Sequence, residues 1–115
     1  YGMLLEKVLL GHLLQPNTQS FLLKVMADAE TGRNRIKAGL PKSIVFAHKT
    51  GTQYARVWDF GIVFNPQSAS GNPVIVAACT RGIKSTEQAE AVLRKLGKTL
   101  WESGVFYERP KIVSR

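Results

Sequence analysis

Lys49, Thr50 and Gly51 stand in succession, with Thr52 immediately after them. Lysine supplies a compact positive charge, and threonine a hydroxyl that can donate or accept. Glycine removes the side chain that would block a ligand from the backbone. Thr52 then offers a backbone N–H at the same edge. Four such residues can hold a substrate carboxylate and present an N–H to an oxygen that gains charge during reaction. The residues before them, Ser43-Ile44-Val45-Phe46-Ala47-His48, form an apolar run of strand type, so the polar group sits at the mouth of a buried strand.

The elements that must position this strand follow from periodicity. Residues 3–14 carry Leu4, Leu5, Val8, Leu9, Leu13 and Leu14 at helical spacing. Gln15-Pro16-Asn17 is read as the stop of that helix, with Asn17 able to cap the next. A second helix is predicted to about Ala29, burying Phe21, Leu22, Val25 and Met26 along one stripe, and the two make a helical hairpin. Thr31-Gly32 ends it, and Gly39-Leu40-Pro41 turns the chain into a strand from about Ser43 to Gln53. Further strands are predicted from Arg56 to Phe64 and from Pro73 to Thr80, with a loop containing Ser70-Gly71-Asn72 between them. Apolar residues occupy both faces of these strands, so the sheet should be covered on both sides. Ser85-Thr86-Glu87-Gln88 has the spacing of a capping box. Ala89, Val92, Leu93, Leu96 and Leu100 then form one face of a last helix. Gly97 costs that helix about 1 kcal/mol relative to alanine, a cost expected where the helix crosses a strand closely.

The chain has 115 residues, enough for at most one domain with a modest core. Its hydrophobic fraction of 44% is that of a folded protein and argues against disorder. No apolar run reaches the roughly 18 residues of a membrane span. The net charge of +8 favours anionic partners. Its densest cluster, Arg33, Arg35, Lys37 and Lys42, lies in a turn-rich stretch without aromatics, so a solvated surface is read there rather than a nucleic-acid face. Cys79, the one cysteine, cannot form an internal disulfide and is read as a small core residue. His12, His48 and Cys79 lack metal-ligand spacing, and no metal or other cofactor is expected. Trp58 and Trp101 are read as packing anchors.

Lys49-Thr50-Gly51 resembles the K-T-G box of serine β-lactamases and penicillin-binding proteins. Its surroundings strengthen the likeness. Met26, Thr31-Gly32 and Arg35-Ile36-Lys37-Ala38-Gly39-Leu40-Pro41 resemble the approach to that box in class A β-lactamases. Asp59-Phe60-Gly61-Ile62-Val63 and Pro73-Val74-Ile75-Val76-Ala77-Ala78 resemble the next two strands. The resemblance spans nearly the whole chain and implies an α/β (α+β) fold: helical hairpin, three-stranded antiparallel sheet and C-terminal helix, part of a β-lactamase/transpeptidase-like domain. Residues 1–115 would be the C-terminal portion of that single domain, with 1–42 its helical part and 43–115 the sheet and last helix.

What the family does assigns expected roles. Lys49 would support the substrate carboxylate, Thr50 would hydrogen-bond it, and Gly51 would keep the wall open. The Thr52 N–H would be one of two oxyanion donors. Arg56 would either add a second positive contact or stand as a surface arginine. His48 occupies a place where many members carry aspartate. The nucleophile motif S-x-x-K is absent, since no serine here precedes a lysine by three. Ser70-Gly71-Asn72 has the form of an S-x-N box but follows K-T-G, against family order, and is read as turn chemistry. Glu6 and Glu90 lack the E-x-x-L-N setting of a deacylating base. The resemblance therefore implies a β-lactam hydrolase for the complete protein, with this chain alone inactive. The substrate would be a β-lactam or peptidoglycan-peptide-like molecule, and the protein would be periplasmic or secreted. A D-alanyl-D-alanine peptidase relative and a non-catalytic domain of the same fold are the alternatives. An incomplete sheet and bundle would need a missing N-terminal segment or an oligomeric partner.

Overall fold

The computed structural model describes residues 2–11, 13–29, 31–68 and 72–106. His12, Ser70-Gly71 and the basic tail beyond Phe106 lie outside them. Two helices, α1 (Gly2–Leu9) and α2 (Pro16–Ala27), lead through a short 3-10 turn at Ile36–Gly39 into β1 (Val45–Gln53). β2 (Arg56–Phe64), β3 (Val74–Arg81) and α3 (Thr86–Glu102) complete the order. The strands form an antiparallel sheet in the order β1-β2-β3, a meander.

Pro16 starts α2 instead of merely ending α1. It takes the first helical turn, where a missing N–H costs nothing, and Gln15 rather than Asn17 is the cap residue. α1 is correspondingly shorter than its leucine pattern, which runs on through a turn. The expected buried stripe of α2 is not there: none of its residues is fully buried, and Phe21 is 70% exposed.

One face of the sheet carries Phe46, Val57 and Val63, and these join Ile36, Leu40, Ile44, Ala89, Leu93 and Phe106 in the core. α3 lies over this face with Ala89 and Leu93 buried and Val92 turned out. α2 packs on β1, and α1 on β2 and β3, so helices meet the sheet on both sides. Ser85 caps α3 as its sequence indicates, its Oγ accepting the Gln88 N–H at 3.3 Å.

Gly97 is required by a close approach, but to the 3-10 turn and not to a strand. A Cβ there would stand 2.2 Å from the Ile36 carbonyl oxygen. Gly39 meets α3 in the same way, 2.1 Å from the Arg94 carbonyl oxygen. The two glycines let the backbones of turn and helix touch, and this fixes the turn that carries Arg35 and Ile36 toward β1. Cys79, expected in the core, is exposed on β3, because only one face of that strand is covered by α3.

Candidate active-site wall

β1 is an edge strand with β2 as its one neighbour among the described residues. Alternate N–H and C=O groups along its other side therefore have no strand partner. At this edge Lys49, Thr50, Gly51, Thr52 and Gln53, with Trp58 and Phe60 of β2, line an open cleft of about 460 Å³. Register explains the mixture. Lys49 faces Phe60 and Gly51 faces Trp58 across the ladder, so lysine and glycine open over an aromatic floor. Thr50 and Thr52 alternate to the other sheet face, across from Asp59 and Val57, and border the cleft at the strand edge. Trp58, expected as a packing anchor, is a half-buried part of this floor.

Lys49 is exposed at the cleft and donates through Nζ to the Thr50 carbonyl. The Thr50 hydroxyl lies 3.4 Å from Thr31 Oγ1, and a Cβ on Gly32 would strike Thr50 Cγ2 at 2.2 Å. The Thr31-Gly32 turn thus covers the far side of Thr50. Gly51 is different, since a Cβ there would make only ordinary contact with Trp58 at 3.5 Å. Arg56 is exposed, paired in register with Gln53 and Arg81, and does not line the cleft.

Two buried polar groups stand behind the wall. Arg35, assigned to a solvated cluster from sequence, is 5% exposed. Its Nε donates to Glu90 Oε2 on α3 at 2.9 Å, and Nη1 to the Gly51 and Trp58 carbonyls at 3.2 and 3.0 Å. Its Nη2 donates to Thr52 Oγ1 at 2.6 Å. A planar five-donor fork is the side chain suited to this many acceptors. The second group is His48, whose Nδ1 lies 2.7 Å from Asp59 Oδ1 with both side chains fully buried. Sequence gave no sign of either contact, because Glu90 and Asp59 are 55 and 11 residues away from their partners.

A family model described as the beta-lactamase enzyme family matches residues 1–103. The chain belongs to the β-lactamase enzyme family. It is 30% identical over 98 residues to beta-lactamase VEB-1 of Pseudomonas aeruginosa, covering 79% of this chain and 32% of that one. It is 35% identical over 96 residues to a beta-lactamase of Mycobacterium tuberculosis, covering 80% of this chain and 30% of the relative. A beta-lactamase from Burkholderia vietnamiensis superposes with a TM-score of 0.79 at 29% identity, over 90% of this chain and 38% of that one. PBP-A superposes with a TM-score of 0.78 at 25% identity, over 89% and 37%. The chain thus spans about a third of the length of the curated β-lactamases it matches. The fold expected from the K-T-G resemblance is that of these β-lactamases.

The cleft brings Lys49, Thr50, Gly51 and Thr52 together and leaves Arg56 to its side. Among the described residues no group of three or more histidine, cysteine, aspartate or glutamate side chains could hold a metal ion. No helix of the described residues is long and apolar enough to cross a membrane.

Proposed function

We propose that this chain is the K-T-G wall of a serine β-lactamase-type hydrolase that opens the β-lactam amide through an acyl-enzyme. The observation that carries this reading is the edge strand itself: Lys49, Thr50, Gly51 and Thr52 share one open cleft, and a buried arginine holds that strand from behind. In this reading Lys49 and the Thr50 hydroxyl receive the substrate carboxylate. Arg35 adds positive potential behind Thr52, and Arg56 contributes at longer range from the hairpin end. The Thr52 N–H on the unpaired side of β1 is one donor to the oxyanion, a group whose removal typically costs about 10²–10³ in kcat. The aromatic floor of Trp58 and Phe60 takes the apolar body of the ligand. The serine that attacks the amide carbon, and the base that drives deacylation, come from outside these residues, so the chain alone does not turn over. We place the protein in the periplasm or outside the cell, where β-lactams and peptidoglycan peptides are met, and where it would confer resistance.

A penicillin-binding peptidase is the second reading, favoured by the superposition on PBP-A, of which one mutant is known as an acyl-enzyme complex with penicillin G. The two readings share the wall and differ in deacylation. Nitrocefin turnover, with mass detection of a penicillin adduct, separates them when measured on the chain and on its full-length reading frame. Turnover in the longer protein only is the expected result. A stable adduct without turnover would favour the peptidase. No adduct in either would leave a non-catalytic domain of the same fold.

A further inference from the structure

The His48–Asp59 pair lies directly behind the cleft, yet neither side chain lines it. Asp59 sits on β2 and is 0% exposed. Its Oδ1 faces His48 Nδ1 at 2.7 Å, and its Oδ2 accepts the backbone N–H of Ile36 at 3.2 Å. One carboxylate thus joins the residue before Lys49 to the first residue of the 3-10 turn. The residue before Ile36 is Arg35, whose guanidinium holds Gly51, Trp58 and Thr52. Consecutive residues 35 and 36 therefore fasten the two ends of the K-T-G segment, His48 at one side and Gly51-Thr52 at the other.

The packing admits no slack at the first of these anchors. His48 pairs in register with Gly61, and a Cβ on Gly61 would stand 2.2 Å from the Ala47 carbonyl oxygen and 2.7 Å from His48 Cα. The imidazole stacks on Phe46 with ring centroids 4.8 Å apart. A carboxylate can only accept, so the short contact assigns the ring hydrogen to Nδ1. Nε2 is buried and has no partner among the described residues. That is tolerable for a lone pair, but an N–H there would be a donor left unmade in the interior. The charged group that faces the ring is Asp59 on β2, while Lys49, next along β1, alternates to the other face of the sheet.

We propose that the His48–Asp59 pair is a positioning device for the K-T-G strand, binding the residue before Lys49 to the same turn whose Arg35 holds Thr52. His48 touches no substrate in this arrangement. It acts through Asp59 and Ile36 on where Lys49 and the Thr52 N–H stand, and a 1 Å displacement of such groups can cost about 100-fold in rate. The kinetic part of this inference rests on the hydrolase reading, while its structural part does not.

The test uses the full-length protein with His48→Asn, His48→Gln and His48→Leu. Asparagine carries an N–H donor where the imidazole has Nδ1, glutamine carries one where it has Nε2, and leucine carries none. H48N is expected to keep nitrocefin kcat within about threefold, while H48Q and H48L lose about 10- to 100-fold in kcat with KM changed less. Protection of the Ile36 amide from hydrogen exchange should persist in H48N and fall in H48L. In 15N-histidine-labelled protein, with H48N assigning the resonance, Nδ1 should carry the proton at neutral pH. The proposal is overturned by an unprotonated Nδ1, by H48Q matching H48N, or by Ile36 protection that ignores all three substitutions. If the parent itself turns nothing over, the hydrolase reading fails, and the nitrogen and exchange measurements still decide the positioning role.

Discussion

A Cβ on Gly51 would stand 3.5 Å from Trp58 Cδ1, an ordinary contact, so nothing within the chain demands glycine there. The open cleft does. Gly51→Ala should leave thermal stability equal or higher by about 0.5–1 kcal/mol, since glycine weakens a strand, while under the hydrolase proposal it should raise KM for a β-lactam in a full-length protein. Unchanged KM would mean that ligand does not approach this backbone. Arg35 gives the opposite pattern. Arg35→Ala would remove one of the two donors to the part-buried Glu90 carboxylate, which keeps Asn34, and would take away the guanidinium's hydrogen bonds to the Gly51 and Trp58 carbonyls and to Thr52 Oγ1. Because Glu90 is part-buried and retains Asn34, the cost should fall below the about 3–5 kcal/mol of a fully buried pair that loses one partner, and the loss should appear in denaturant unfolding. Arg35→Lys should recover only part of it, because a point charge cannot span α3 and two strands. That Lys49, Thr50, Gly51 and Thr52 gather at the mouth of one strand was legible from the sequence. The burial of Arg35 was not, because a local basic cluster in a turn gives no hint of a carboxylate on a helix far along the chain.

At the scale of elements, the tight joint between the 3-10 turn and α3 decides how far the site is held. Gly97→Ala would raise helix propensity by about 1 kcal/mol, yet its Cβ would meet the Ile36 carbonyl at 2.2 Å. Forcing atoms into a packed contact costs about 1–3 kcal/mol, so the substitution should destabilise, and a rise in melting temperature would contradict the joint. Ser85→Ala, which removes the cap acceptor for the Gln88 N–H, should cost about 1 kcal/mol without touching the cleft. Circular dichroism melts of the two variants separate a helix defect from a joint defect. Apolar runs bounded by turn residues, and the Ser85 cap, marked β1, β2, β3 and α3 within a residue or two. Two other elements were less legible. The leucine repeat of α1 outruns its helix, and the 3-10 turn at Ile36–Gly39 looked like a plain connection, because its order comes from contact with α3 rather than from local sequence.

On the molecule as a whole, large apolar side chains remain exposed along one arm: Met3, Leu4, Leu10, Leu13, Phe21 and Val25 all belong to the α1–α2 region. The sheet core and α3 do not show this, apart from single residues such as Val45 and Val92. Scattered exposed leucines are ordinary, but six large apolar side chains exposed along α1, α2 and their connection form an apolar arm open to another surface. The β-lactamases that match are about three times longer, so a further segment of such a domain has the extent to cover it. The 115-residue chain on its own should therefore associate, against the repulsion of its net charge of +8. Light scattering after size exclusion should give a mass above 12.7 kDa, and a hydrophobic dye should bind. Higher salt should deepen the association, because it screens the repulsion and leaves apolar contact intact. Met3→Glu combined with Phe21→Lys should restore the monomer and remove dye binding without altering the packing of α3 on the sheet. A monomeric, dye-silent parent chain would show that this arm is not a docking face. A longer reading frame that binds the dye as strongly as the 115-residue chain would show that a further segment does not cover this arm.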